Sequence, residues 1–219
     1  MTTPSHTIPF AATAVAAAAS ALAYPFLPDR VATHFDADGR PDRFGSRASA
    51  AVTLPATMAG LAVVNRRLGA WPGGRDREDR GSGVRALDEA IGVVNVALLP
   101  AHVAILARGV GAPVDMSRVS RGVLGGLLLG LGNILPKLPR NGLVGIRTPW
   151  TLADPVVWER THRLGAYLIM GAGLVSLLSL PATGKRAARL PLVATLGAVG
   201  VSTMYSFVAY LKRPRTGRR

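Results

Sequence analysis

The run LPLVATLGAVGVSTMYSFVAYL, Leu190 to Leu211, contains 22 residues and no charged side chain. A helix of about 20 apolar residues crosses the hydrocarbon core of a bilayer. Similar runs recur along the chain, so the sequence predicts an all-α, polytopic transmembrane helical bundle with about six spans. The other predicted spans are about Ile8 to Leu27, Ala48 to Val64, Leu87 to Leu106, Val119 to Leu135 and Leu164 to Pro181.

The composition agrees with a chain solvated largely by lipid. Of its 219 residues, 49% are hydrophobic and only 17% are charged, whereas soluble domains have about a quarter charged. Six spans and their loops leave no room for a separate soluble catalytic domain. The net charge of +14 comes from basic residues between the apolar runs, which indicates headgroup anchoring and no direct nucleic-acid partner. The absence of cysteine excludes disulfides, zinc–thiolate sites and thiol nucleophiles.

The order of the runs divides the chain into four parts. We predict an N-terminal two-span region at 8–67, a polar linker at 68–86, a four-span region at 87–211 and a basic tail at 212–219. The first run has no basic residue before it, unlike a cleaved signal peptide, so we expect an uncleaved span. In the fourth run, Gly126 and Gly130 form a GxxxG pair, a spacing that favours close helix approach.

The distribution of basic residues predicts the orientation. With the N-terminus in the cytoplasm, 16 of the 26 Lys and Arg residues lie on the cytoplasmic side. Because loops rich in Lys and Arg remain in the cytoplasm, both termini are predicted to be cytoplasmic. The absence of basic residues before the first span argues weakly in the other direction.

The first polar segment, LPDRVATHFDADGRPDRFGSR, runs from Leu27 to Arg47. Its carboxylates and imidazole could bind a cation, but Gly39 and Arg47 do not occupy the positions that a calcium loop requires. A solvated turn is the simpler alternative. Because Phe35 and Phe44 bracket the charges, we predict a structured cap over the bundle. The residues with potential ligand atoms are His34, Asp36, Asp38 and Asp42.

The second polar segment, LGNILPKLPRNGLVGIRTPWTLADPVVWERTHRLG, runs from Leu131 to Gly165. Its Trp residues suit the headgroup level of a bilayer. Arg147 could hold a phosphate headgroup or pair with Glu159, and the spacing of Trp158, Thr161 and His162 places them on one helix face. The segment is therefore either a connecting loop anchored at the interface or a binding surface.

Catalytic motifs are scarce in this sequence. GxSxG, HExxH and P-loop patterns are absent, and so are paired intramembrane Asp residues. His102, in the third span, is either functional or hydrogen-bonded to a neighbouring helix. We therefore predict that the protein is not an enzyme and uses no cofactor or metal.

Both polar segments resemble a known family. The second is similar to the signature region of SdpI-like bacterial membrane proteins, with LGN-x-LPK, N-x-x-x-GIRTPWTL and VW-x-x-TH in order. The first resembles the domain of unknown function that commonly precedes this region, with an LP-x-x-V-x-x-HF-x-x-x-G-x-PD pattern. The resemblance implies the following binding residues: His34, Asp36, Gly39, Asp42, Asn133, Pro136, Lys137, Asn141, Gly145, Arg147, Thr148, Trp150, Thr151, Trp158 and His162.

The resemblance implies a multi-pass protein of the bacterial cell membrane. The family is named after a protein that provides immunity to a secreted antimicrobial peptide and relays the presence of this peptide to a cytoplasmic regulator. The expected partners are thus the lipid bilayer, a peptide toxin outside and a regulator inside. Two alternatives stay open: a small transporter or channel, and a membrane-embedded metal-dependent enzyme using His34 with Asp36 or His162 with Glu159.

Overall fold

The computed structural model describes residues 7–69, 77–142 and 144–213, with side chains omitted at 65, 68–69 and 77–85. The described part contains seven α-helices, two single 3-10 turns and one two-stranded sheet. The bounds are α1 Thr7–Ala23, β1 Arg30–Phe35, β2 Pro41–Ser46, α2 Arg47–Gly69, α3 Arg77–Gly109, α4 Met116–Ile134, α5 Pro149–Ala153, α6 Pro155–Leu178 and α7 Gly184–Leu211. The 3-10 turns, Tyr24–Phe26 and Leu135–Lys137, extend α1 and α4.

Five described helices are long and apolar enough to cross a membrane, which confirms the predicted helical bundle. They are Thr7–Phe26, Arg47–Val64, Ala86–Gly109, Met116–Lys137 and Gly184–Leu211. Helix α6, which holds the predicted span Leu164 to Pro181, is not among them. Its first turns contain Glu159, Arg160 and Arg163, and only the 15 residues from Leu164 to Leu178 are free of charge.

Helix α6 nevertheless runs the length of the bundle, antiparallel to α4. Near its start, the Trp158 indole donates to the carbonyl of Leu138, which follows α4. Midway, a methyl group added to Gly173 would lie 3.0 Å from the Gly125 carbonyl oxygen. Near its end, Ser176 Oγ donates to the Arg121 carbonyl in the second turn of α4. Six of the described helices therefore traverse the bundle.

Two helices begin well before the apolar runs that predicted them. Helix α6 begins at Pro155, nine residues before the predicted span, because the fixed φ of proline suits the first turn and Asp154 caps it. Helix α3 begins at Arg77, so the latter part of the predicted polar linker 68–86 is helical. Pro55, Pro100 and Pro191 lie inside α2, α3 and α7.

Small side chains let the helices approach closely. Ala12 and Ala16 of α1 pack with Met58 of α2. The predicted GxxxG pair has two different environments: a methyl group at Gly130 would lie 2.6 Å from Val93 of α3, whereas Gly126 faces open space. Closest contact between α4 and α6 occurs instead at Gly125 and Gly132, where added methyl groups would clash with Leu177 and Met170.

The segment after α1 forms an antiparallel β-hairpin, a feature that the sequence analysis did not assign. Val31 pairs with Gly45 and Ala32 with Phe44, with irregularities on either side of His34. Gly39 has φ +79°, which a residue without Cβ adopts readily, and closes the turn. The predicted cap is confirmed, because Leu27 and Val31 pack against Ala50, Ala51 and Leu106 and the turn contacts α4.

The two polar segments lie at opposite ends of the bundle. The hairpin shares its end with the start of α4, since Ser117 Oγ donates to the Ala37 carbonyl. Arg121 donates to the carbonyls of Ser179 and Ala182, which brings the α6–α7 connection to the same place, here called the hairpin end. The segment from Leu138 to Asp154 joins the end of α4 to the start of α6 and defines the signature end.

Candidate functional site

The signature segment folds back on itself through its own polar side chains. Asn141 Oδ1 accepts the amide of Val144 at 2.8 Å, and Asn141 Nδ2 donates to the Pro139 carbonyl at 2.8 Å. Such a side chain replaces a backbone turn. Gly145 follows with φ +123°, a conformation that L side chains rarely adopt. Asn141 and Gly145 therefore set the path of the chain toward α5.

His162 fastens this path to α6. Its Nε2 lies 3.0 Å from the amide of Ile146, and its Nδ1 lies 2.8 Å from the Trp158 carbonyl oxygen. A carbonyl only accepts and an amide only donates, so the ring is neutral, with its proton on Nδ1. The ring also stacks on Trp158 at a centroid distance of 4.0 Å. His162, which precedes the apolar part of α6, is only 1% exposed, and burial lowers its pKa.

Thr148 and Thr151 form a capping box at the start of α5. The Thr151 amide donates to Thr148 Oγ1, and the Thr148 amide donates to Thr151 Oγ1 at 2.9 Å. This reciprocal pair satisfies amides that a helix start leaves without partners. Thr151 Oγ1 also donates to the Ile146 carbonyl at 2.8 Å. Trp150 then anchors α5 to α7, its indole donating to Ser206 Oγ at 2.5 Å.

Asp154 caps α6 and binds the end of the described chain. Its Oδ1 accepts the amides of Val156 and Val157, and its Oδ2 lies 2.8 Å from Arg213 Nε. Burial opposes ionisation, but the Val157 amide, the Arg213 guanidinium and the Val156 amide outweigh it and lower the pKa of Asp154. The ends of α7 and the signature segment are thus held together by a charged pair.

Three residues of the signature motif do not stabilise the segment through polar contacts that the structure describes. Asn133, Lys137 and Arg147 are exposed, and their side chains make no hydrogen bond or ion pair with any side chain or backbone group that the structure describes. Pro136 lies between the first two, in the 3-10 turn that ends α4. The expected pair of Arg147 with Glu159 is not formed, because Glu159 lies 2.5 Å from Arg163. These three polar groups face outward at the signature end.

The hairpin brings only part of the predicted cluster together. His34 Nδ1 lies 2.6 Å from Asp42 Oδ1 across the two strands, and both side chains are about half exposed. Asp36 instead accepts the amide of Arg40 within the turn. Gly39 lies against Ser117, where a methyl group would come within 2.7 Å of the Ser117 amide nitrogen. His34 and Asp42 are thus available at the surface, while Asp36 and Gly39 shape the turn.

The residue pairs suggested for catalysis are not brought together. His34 binds Asp42 rather than Asp36, and both nitrogens of His162 are occupied by the backbone rather than by Glu159. Among the described side chains there is no group of three or more His, Asp or Glu residues placed to hold a metal ion. These contacts give the enzyme alternative no support.

Several polar residues are buried inside the described helices. His102 hydrogen-bonds Ser20 of α1 at 2.8 Å, so its link to a neighbouring helix is confirmed. Arg121 is 5% exposed and binds the α6–α7 connection through two carbonyls, a role that the sequence analysis missed. A charged residue just inside the start of an apolar run was the available signal. Asp88 is also buried, at 6% exposure, near the start of the apolar part of α3.

An apolar groove lies between α3 and α4 on the surface of the bundle. Its volume is about 730 Å³, within the range of ligand sites. Gly122, Gly126 and Gly130 of α4 line its floor, and Asp88, Glu89 and Asn133 lie toward the signature end. A smaller polar cleft of about 250 Å³ at the hairpin end is lined by the turn, the start of α4 and the start of α7. We refer to the larger space as the α3–α4 groove.

The helical bundle, its five membrane-capable helices and its polar caps define a multi-pass protein of the cell membrane. Comparison with known proteins adds the family. Residues 137–209 match the SdpI/YfhL protein family, and residues 11–59 match a domain of unknown function, DUF1648. The two matches confirm the resemblance seen in the two motifs: residues 137–209 are similar to the SdpI/YfhL family and residues 11–59 to DUF1648.

One curated relative is the immunity protein SdpI of Bacillus subtilis (strain 168). The two sequences are 33% identical over 86 residues, which is 39% of this chain and 41% of that protein. The similarity thus spans about two-fifths of the relative. No solved structure matches the chain.

Proposed function

We propose that this SdpI-like membrane protein confers immunity to a secreted antimicrobial peptide and relays its presence across the membrane without catalysing a reaction. The support is the placement of two motif-bearing segments at opposite ends of one bundle. The relative is named as an immunity protein, which favours the same role here. The hairpin end would face the outside, from which the peptide arrives, and the signature end would face a cytoplasmic regulator.

The signature end suits contact with a regulator because its motif residues fall into two sets. Asn141, Thr148, Trp158 and His162 hold the segment in place. Lys137 and Arg147 are exposed and contribute nothing to that framework within the described structure. Two positive side chains on a rigid support fit an acidic surface of a partner protein.

Orientation is the first test, and the absence of cysteine makes it simple. Single Cys residues at Asp38, in the hairpin turn, and at Gly142, in the signature segment, report on the two ends. In intact cells, a membrane-impermeant maleimide should label Asp38→Cys and leave Gly142→Cys unlabelled until the cells are opened. Labelling of both, or of Gly142→Cys alone, in intact cells contradicts the proposed relay.

Survival is the second test. The chain is expressed in a sensitive bacterium that is challenged with a panel of secreted antimicrobial peptides, and growth is compared with an empty vector. We expect a gain in survival for at least one peptide. Arg147→Gln should leave protection intact but abolish induction of a regulator-controlled reporter, whereas the control Lys212→Gln, at the same end, should change neither. Absence of protection against every peptide contradicts the immunity proposal.

A transporter receives less support from the contacts. Asn95 and the Nδ1 atom of His102 are buried without a hydrogen-bond partner among the described residues, and such groups can line a polar pathway. Neither residue lines the α3–α4 groove or the polar cleft, however. The groove itself is predominantly apolar, which favours recognition of an apolar partner over passage of a polar solute.

A further inference from the structure

We propose that the α3–α4 groove is the docking site for a helical, apolar peptide with a basic residue near one end. This inference rests on the proposed immunity function and names the kind of partner that the protein recognises. The groove, rather than the exposed hairpin, would receive the body of the peptide, whose basic end would lie at the signature end, on the cytoplasmic side of the proposed orientation. The hairpin remains a surface at the other end of the bundle.

The shape of the groove suits a helix that arrives from within the bilayer. Its α4 wall extends from Val119 to Ile134, which corresponds to about 22 Å of helix. Gly126 is exposed and has no atom within 4 Å of an added methyl group, so the backbone of α4 is accessible to an approaching helix at this position. Val96, on the α3 wall, is 50% exposed. Glycine-lined surfaces let a second helix approach closely.

The polar end of the groove selects the charge of the occupant. Glu89 is exposed, and the described residues that line the groove include no Lys or Arg. Asn133, an exposed signature residue without a described hydrogen-bond partner, lies on the facing helix. A carboxylate and an amide at the end of an apolar groove complement an ammonium or guanidinium group, which both can bind.

The same charges disfavour two other occupants. An anionic lipid headgroup would be repelled by the exposed carboxylate of Glu89. A second copy related by two-fold symmetry would place Glu89 near its own counterpart, because both copies have the same orientation in the membrane. A peptide with a basic end meets neither obstacle.

Binding is measured on the full chain in phosphatidylcholine nanodiscs, where the lipid carries no net charge. The probe is a fluorescent 18-residue Leu/Ala helix with two Lys residues at one end, and its counterpart has two Glu residues there. We expect saturable binding of the Lys peptide and at least tenfold weaker binding of the Glu peptide. Glu89→Gln should weaken binding of the Lys peptide about tenfold, since a charge-assisted hydrogen bond is lost.

The chain offers a matched pair of variants for the groove itself. Gly126→Leu fills the floor of the groove, while Gly197→Leu adds the same side chain to an exposed position on α7; neither meets a neighbour at Cβ. Gly126→Leu should weaken binding more than tenfold and Gly197→Leu less than twofold. Equal binding of the Lys and Glu peptides would overturn the proposal in favour of a lipid-like site. A crosslinked dimer abolished by Gly126→Leu would overturn it in favour of a second copy.

The survival assay separates this inference from the proposed function. If the wild-type chain protects cells and Gly126→Leu protects them equally, immunity stands and the groove site is wrong. If the chain protects no cells but binds the Lys peptide with the expected variant pattern, the groove stands and immunity is wrong.

Discussion

Replacing His162 by Phe removes both hydrogen bonds of the imidazole, of which the one from the Ile146 amide holds the signature segment. Phenylalanine keeps a ring able to stack on Trp158 but cannot accept the Ile146 amide, which His162 Nε2 accepts at 3.0 Å. A partly buried amide left without a partner costs about 1–3 kcal/mol. His162→Ala also removes the stacking, worth about 0.5–1.5 kcal/mol, so its total is about 1.5–4.5 kcal/mol before any cavity term.

The assay uses the cysteine-free background. Val157→Cys places a thiol at a position that is 1% exposed in the first turn of α6, so its labelling rate reports how often the signature end opens. For His162→Phe, about 1–3 kcal/mol corresponds to labelling roughly 5–150 times faster. The control Glu159→Gln breaks an exposed pair on the same helix and should change the rate by about twofold or less. Unchanged labelling in His162→Phe would refute the assigned role of the histidine.

The remaining predictions concern the same framework and the hairpin end. The pKa of His162 is lowered in the folded protein, so the unfolded chain binds the proton first as pH falls. The free energy of unfolding should therefore fall as the pH drops below about 6.5 and level off below the folded-state pKa. Thermal unfolding of His162→Phe should depend less on pH in this range. Gly145→Ala should lower the unfolding midpoint because φ is +123° and Cβ would lie 2.4 Å from His162 Nε2, whereas Gly142→Ala, in open space, should leave it within about 1 °C. Arg121→Met removes the donors to Ser179 and Ala182 and should accelerate proteolysis at the α6–α7 connection, while Arg118→Met, which breaks only an exposed pair with Asp115, should not.

The sequence predicted the helices well because a membrane span is defined by length and apolarity alone. It placed the last span at Leu190 to Leu211, and α7 ends at Leu211. Helix starts were less predictable, since the helices that begin at Pro155 and Arg77 include charged residues before their apolar runs. The hairpin was missed because its strands have six residues each and mix charged with apolar side chains.

The sequence predicted the binding residues as one set, but the contacts divide them into residues that hold the signature segment in place and exposed residues that do not. His162 and Asn141 pair with backbone groups, which have no side-chain signature in the sequence. The open position of Gly126 depends on where the neighbouring helices are held, namely at Gly125, Gly130 and Gly132. Only the assembled bundle therefore distinguishes a glycine that packs from one that leaves a groove.

This division changes which residues should report on function. A substitution at His162, Thr151 or Trp158 disturbs the folded segment, so loss of immunity in such a variant says little about recognition. Lys137 and Arg147 at the signature end, and Glu89 with Asn133 in the groove, are exposed side chains that the described fold does not use. Because their replacement leaves the framework intact, a change in protection or signalling at these positions reports on partner binding itself.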